Sequence, residues 1–210
     1  MADLNAMKEV LITGDDGKLS ELVQAALDEG AAAADILNEG LIAGMDIVGD
    51  KMKTGDMFIP EVLMSARAMG IAVEILKPLL GEEGTAAGKV IIGTVKGDLH
   101  DIGKNLVAMM LESAGLEVVD LGVDVPPEVF VENITKIKPD VVAMSALLTT
   151  TMPMMKATID AIAESGNRDA LKIIVGGAPV NQSFADEIGA DGYSSDAGSA
   201  AQMSKAFCVG

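Results

Sequence analysis

The second half of the chain alternates so regularly that few folds remain open to it. Four short apolar runs, KVIIGTV (89–95), EVVDLG (117–122), DVVAMSAL (140–147) and KIIVGGA (172–178), each lead into an amphipathic stretch such as DIGKNLVAMMLESAG or MPMMKATIDAIAESG. Strand and helix in strict turn require a parallel sheet covered by helices on both faces. A weaker fifth strand near DGYSS and a last helix near 197–207 complete about five βα units. The expected class for residues 90–210 is therefore α/β, a Rossmann-like, flavodoxin-type parallel five-stranded sheet.

The first half has a different grammar. Up to about residue 80 the apolar residues recur at helical spacing, and the pattern predicts helices over 4–12, 18–29, 31–52 and 60–80, separated by GDDG, Gly30 and KTGDMFIP. Pro60 suits the first turn of the fourth helix, and Gly40 and Gly44 allow a neighbour to approach the third closely. Such brief connections make residues 1–80 an N-terminal four-helix bundle. The small, charged segment GEEGTAAGK (81–89) reads as the linker between the two domains.

Half of the 210 residues are hydrophobic, enough for two small cores. A formal net charge of −17 repels phosphate backbones and anionic headgroups, which makes nucleic acid and membrane surfaces poor partners. No apolar run approaches the ~20 residues of a spanning helix, and MADLNAMKEV lacks the basic and apolar regions of a secretory leader, so the expected address is the cytoplasm. Cys208 is the single cysteine and is expected to be an ordinary thiol on a frayed terminus.

In an open α/β sheet the ligand lies beyond the carboxyl ends of the strands, where strand order reverses. Those ends deliver GDLHDIG (97–103), SALLTTT (145–151) and GGAP (176–179) to one rim. The rim is not a triphosphate loop, because five residues separate Gly97 from Gly103 and Asn105 follows Lys104. It lacks a dinucleotide fingerprint, and Ser145 stands where a phospho-acceptor domain places an aspartate. A zinc or iron site built by protein alone needs several histidines or cysteines, and His100 is the one histidine present. A lone histidine suffices when the metal arrives inside a corrin or porphyrin that fills its four equatorial positions.

The spacing carries this further. DLHDIG (Asp98, His100, Gly103) is followed by 41 residues, then by SAL (Ser145, Leu147), then by 28 residues and by Gly176-Gly177. This resembles the cobalamin-binding signature D-x-H-x-x-G, S-x-L, G-G. With a helical bundle upstream, nearly the whole chain is similar to the corrinoid proteins of anaerobic methyltransferase systems and to the cobalamin-binding region of methionine synthase. The resemblance implies cobalamin or a related corrinoid bound base-off, with His100 as the lower axial ligand of cobalt. The implied binding residues are Asp98, His100, Asp101, Ile102 and Gly103, then Ser145, Leu147, Thr149, Gly176 and Gly177, with Tyr193 and Asp196 further along the rim. GDMFIPEVLMSARAM (55–69) is similar to the segment that caps the corrin in such proteins, with Phe58, Met64 and Met69 as candidate cap residues and the linker as hinge.

Asp98 lies two residues before His100, so in an extended segment both project to one side, and its carboxylate can accept the second ring N–H. Asp98 and Thr151, with Thr150 as the alternative to the latter, are the expected proton relay when His100 releases the metal. The implied function is a methyl carrier, non-catalytic alone, between a substrate-specific methyltransferase and a second methyltransferase with a tetrahydrofolate or thiol acceptor, kept active by a reductive activation protein. A cobalamin-binding regulator and the small subunit of an adenosylcobalamin mutase are the alternatives. The acidic surface calls for basic patches on the partners, so methyl-transfer rates should fall from low to high ionic strength, and rates flat across that range would contradict electrostatic docking.

Overall fold

A computed structural model describes residues 3–80 and 86–209. The chain divides into two compact units, Met1–Ala86 with Ser113–Gly115, and Ala87–Glu112 with Leu116–Gly210. Of the expected linker, 81–85 lie outside the described residues, and Lys89 opens the first strand. Among the described residues no helix is long and apolar enough to cross a membrane.

The first unit is helical: α1 (Leu4–Thr13), α2 (Asp16–Asp28), α3 (Ala33–Asp35), α4 (Ala43–Thr54) and α5 (Ile59–Leu76). Asp3 and Asp15 cap α1 and α2 by accepting the backbone N–H groups of Ala6 and Lys18. Gly14, at φ +72°, ends α1 in the left-handed conformation. The stretch expected as one plain helix over 31–52 is continuous but not uniform, because α3 and α4 are joined by a π-helical segment, Ile36–Ile42. Ala43 N–H there reaches back five residues to the Asn38 carbonyl. The wider turn gathers Ile36, Leu37, Leu41 and Ile42, spaced four and five apart, among the buried residues. α1 packs on this rod where Gly40 and Gly44 leave room: a Cβ on Gly44 would stand 2.7 Å from Leu11 Cδ2.

The second unit is a five-stranded parallel sheet of β1 (Lys89–Thr94), β2 (Glu117–Asp120), β3 (Val141–Ser145), β4 (Lys172–Gly176) and β5 (Gly192–Ser194). Its order is β2-β1-β3-β4-β5, with every pair parallel, which is the flavodoxin arrangement. The strands alternate with α6 (Ile102–Ser113), α7 (Pro127–Ile137), α8 (Pro153–Glu164), α9 (Gln182–Ile188) and α10 (Ala197–Val209). One face carries Ile91, Val142, Met144, Ile173 and Val175 into a core with Phe130 and Ile134 of α7, Met155 and Ile159 of α8 and Ile188 of α9. Gly93 belongs to this face, where a Cβ would come within 2.9 Å of the Phe130 ring. Cys208 is not frayed: it is helical, half-buried beside Gly88, and burial with the nearby Asp140 carboxylate pushes its thiol up to about 11.

Two glycine substitutions separate helix propensity from packing. Gly70→Ala, in mid-α5 with nothing within 4 Å of the added carbon, should stabilise the protein by up to about 1 kcal/mol. Gly44→Ala gains the same propensity, but overpacking against the fully buried Leu11 costs about 1–3 kcal/mol and should dominate. Denaturant midpoints that move in opposite directions are the expected result.

Candidate functional site

The strand order reverses between β1 and β3, and the loops leaving their carboxyl ends hold most of the expected site. The loop from Val95 to Asp101 joins β1 to α6 and carries Asp98 and His100, while residues 146–152 join β3 to α8. Register places Thr94, Ser145, Gly176 and Ser194 side by side at the ends of four adjacent strands. By alternation these four share the face opposite Val142, Met144, Ile173 and Val175. Small residues across four strands leave width between the sheet end and the helices on that side.

Asp98 is the centre of the site. Its side chain is fully buried, and its two oxygens accept from five donors. Oδ1 takes the His100 backbone N–H at 3.1 Å and His100 Nδ1 at 2.7 Å. Oδ2 takes the N–H groups of Leu147 and Leu148 at 2.8 and 3.3 Å and the Thr151 hydroxyl at 2.7 Å. Burial opposes the charge, yet the Thr151 hydroxyl, the Leu147 N–H and the two His100 bonds together hold the carboxyl well below the usual carboxylate range. An ionised carboxylate can only accept, so Nδ1 carries a proton, and in the neutral imidazole the lone pair is on Nε2. The His100 side chain is 51% exposed, and Nε2 has no hydrogen-bond partner among the described residues. Thr150 is exposed and makes no such bond.

The glycines serve two different needs. Gly177, at φ +126°, lies directly on the Ala146 carbonyl oxygen, with which any Cβ would collide. A Cβ on Gly176 would come within 3.0 Å of the Ser194 carbonyl oxygen, so the pair is required by the protein's own backbone. Gly103, in the first turn of α6, has nothing within 4 Å of its Cβ position and faces open space.

The same two loops and the start of α6 present apolar surface: Leu99 is 72% and Ile102 85% exposed, Leu147 and Leu148 are exposed, and so is Val123 between β2 and α7. Asp101 is exposed and accepts the Asn105 side-chain amide at 3.2 Å, while Thr149 is exposed and makes no side-chain hydrogen bond among the described residues. Two expected rim residues lie in other settings. Tyr193 packs half-buried against the core of the opposite sheet face, and Asp196 is the N-cap of α10, accepting the Ser199 N–H at 2.8 Å. Within the helical unit Phe58 and Met64 are exposed, whereas Met69 falls on the buried stripe of Val62, Ser65, Met69, Ala72 and Leu76.

Sequence reasoning missed three residues. The buried Thr94 hydroxyl donates to the His100 carbonyl at 2.9 Å. Asp124 accepts the Gly97 N–H at 2.6 Å. Lys104, noted only as a misfit to a phosphate loop, is buried and ion-paired to Asp120 at the end of β2. The one available signal was a lysine inside an amphipathic helix directly after a motif glycine, where solvation is the default expectation.

These residues suit a group that brings its own equatorial ligands. Among the described residues no cluster of three His, Cys, Asp or Glu could hold a bare metal ion. One oriented imidazole with an open Nε2, an apolar surround and a small-residue row fit a macrocycle with a polar tail. Comparison with known proteins agrees: a profile described as a B12 binding domain matches residues 88–202, and a second of the same description matches 3–77. The chain belongs to the B12-binding corrinoid proteins. It is 43% identical over 202 residues to a trimethylamine corrinoid protein of Methanosarcina barkeri, covering 95% of this chain and 93% of that protein. Among solved structures, a cobalamin-binding protein from Desulfitobacterium hafniense DCB-2 aligns with a TM-score of 0.86 at 35% identity, covering 99% of both chains. A chain of the methanol:cobalamin methyltransferase complex from Methanosarcina barkeri aligns at 0.85 with 34% identity, covering 97% of this chain and 78% of that one.

For this corrinoid protein the Gly177 contact is the most exposed to test. Gly177→Ala must part the β3 and β4 loops or strain φ, a loss of at least about 2 kcal/mol, and should lower both the thermal midpoint and corrinoid affinity. An unchanged midpoint would mean the two loops are not in contact in solution.

Proposed function

We propose that this chain is a corrinoid methyl carrier that passes a methyl group from a substrate-specific methyltransferase to a second methyltransferase. The observation that supports it most is the buried Asp98 carboxylate on His100 Nδ1, in a half-exposed side chain whose Nε2 has no competing partner among the described residues. That is the arrangement a single axial ligand requires. When bound, the corrinoid supplies the cobalt that accepts and gives up the methyl group.

The protein's own residues bind and orient. His100 would hold the cobalt of a base-off corrinoid through Nε2, and Asp98 fixes the tautomer and raises the basicity of that nitrogen. Whenever the free Nε2 takes up a proton from water, the Asp98 carboxylate, held by the Thr151 hydroxyl, would stabilise the resulting imidazolium through Nδ1–H. Gly103 leaves its side of α6 bare for the nucleotide tail, and Ser145, partly exposed in the small-residue row, faces that side with Leu147 beside it. The exposed Leu99 and Ile102 are apolar surface for the macrocycle to cover.

A partner methyltransferase fits the relatives, one of which is part of a methanol:cobalamin methyltransferase complex and another a trimethylamine corrinoid protein. The carrier role needs no substrate pocket in this chain, so the methyl donor is chosen by the partner. Transfer to tetrahydrofolate or a thiol, and rescue of oxidised cofactor by a reductive activation protein, complete the cycle in the cytoplasm.

The test is an ultraviolet–visible spectrum of wild type and His100→Ala reconstituted with cob(III)alamin, then reduced anaerobically and given a methyl donor. Wild type should bind one corrinoid per chain and take up methyl, and His100→Ala should show an altered axial signature with affinity lowered roughly 10–100-fold. Failure of wild type to bind corrinoid would overturn the reading.

A further inference from the structure

The loop between β2 and α7 contributes nothing to the three-part signature, yet it is laced to the His100 loop. Thr94 N–H donates to the Gly122 carbonyl at 3.0 Å, and Val125 N–H donates to the Thr94 carbonyl at 3.0 Å. Beyond the strand end, Asp124 N–H donates to the Asp98 carbonyl at 2.9 Å, and the Asp124 carboxylate Oδ1 accepts the Gly97 N–H at 2.6 Å. Asp124 thereby grips the backbone on both sides of the Asp98 α-carbon.

Its own backbone is unusual. Asp124 sits at φ +54°, one of two non-glycine residues with positive φ among the described residues; the other, Lys138, ends a helix. An aspartate in the left-handed region is tolerated but costs free energy, and it persists only where surrounding bonds fix it. Here the strained geometry turns the N–H and the carboxylate of one residue toward the same segment.

The remaining bonds complete the enclosure. Asp98 N–H donates to the Val95 carbonyl at 3.1 Å, and the His100 carbonyl accepts the Thr94 hydroxyl at 2.9 Å. The main chain from Gly97 to His100 is held at both ends by groups that belong neither to the imidazole nor to the Asp98 carboxylate.

We propose that Asp124 is a positioning residue for the axial ligand: through Gly97 N–H and the Asp98 carbonyl it sets the angle at which the Asp98 carboxylate meets His100 Nδ1, and so the aim of Nε2. This rests on the reading of His100 as the axial ligand. It predicts that loss of the Asp124 carboxylate weakens histidine ligation without unfolding the protein.

The experiment uses protein containing ¹⁵N-histidine, which marks His100 alone because the chain has one histidine. Electron paramagnetic resonance of protein saturated with cob(II)alamin reads the nitrogen on cobalt, and ¹⁵N splitting identifies it as His100. Asp124→Gly keeps the positive φ and removes the acceptor, whereas Asp124→Asn keeps an acceptor oxygen. Wild type and Asp124→Asn should show ¹⁵N splitting, while Asp124→Gly should show a reduced histidine-bound fraction at saturation and roughly tenfold weaker cob(II)alamin binding. Circular dichroism of the apoprotein should be the same for all three. Full ¹⁵N splitting with wild-type affinity in Asp124→Gly overturns the positioning role. Absence of ¹⁵N splitting in wild type overturns the axial-ligand reading instead, so the two failures are distinct. Should Asp124→Gly misfold, Asp124→Ala removes the same acceptor without adding glycine's backbone freedom, and an intact histidine signal there overturns the role equally.

Discussion

A fully buried carboxylate governs this site. Leaving an ion like Asp98 uncompensated inside a protein costs several kcal/mol, and its five donors on two loops are what make it tolerable. Two of those donors come from His100 and three from the segment after β3, so the carboxylate is also the rivet between the loops. The aim of the imidazole therefore depends on the register of β1 against β3, where Thr94 faces Ser145. Chemistry at one ring nitrogen is tied to the ladder of a parallel sheet.

The same economy of space appears along the sheet end. Thr94, Ser145, Gly176 and Ser194 keep one face narrow in side-chain bulk, while Gly176 and Gly177 let the β3, β4 and β5 ends approach backbone to backbone. A glycine in a binding signature is usually read as making room for ligand. Here that reading suits Gly103, whose Cβ position is open, whereas the pair at 176–177 is explained by contacts within the fold.

Much of the architecture was legible because it is periodic. The βα alternation marked five strands, and helical spacing marked the helices of the first half, with ends off by up to four residues, as where a cap such as Asp15 starts a helix earlier than its apolar pattern does. The π segment at Ile36–Ile42 was not legible, since four- and five-residue spacings look alike over two turns. Met69 was drawn toward the surface by its motif, although its place on the Val62–Leu76 stripe puts it in the interior. Tyr193 and Asp196 were chosen for nearness to the rim, but β5 pairing turns the first to the opposite face and the start of α10 occupies the second.

The sequence alone determined the class of the protein. One histidine, two residues after an aspartate and in register with a serine and two glycines, marks a B12 binding domain, because residue types and spacings are local properties of a chain. Tertiary structure decided how that histidine is held. Lys104 reaching Asp120 and Asp124 gripping Gly97 and Asp98 join residues 16 to 27 positions apart. Such bonds exist only once the strands are ordered side by side, and no periodicity along the chain records which loops that ordering brings together.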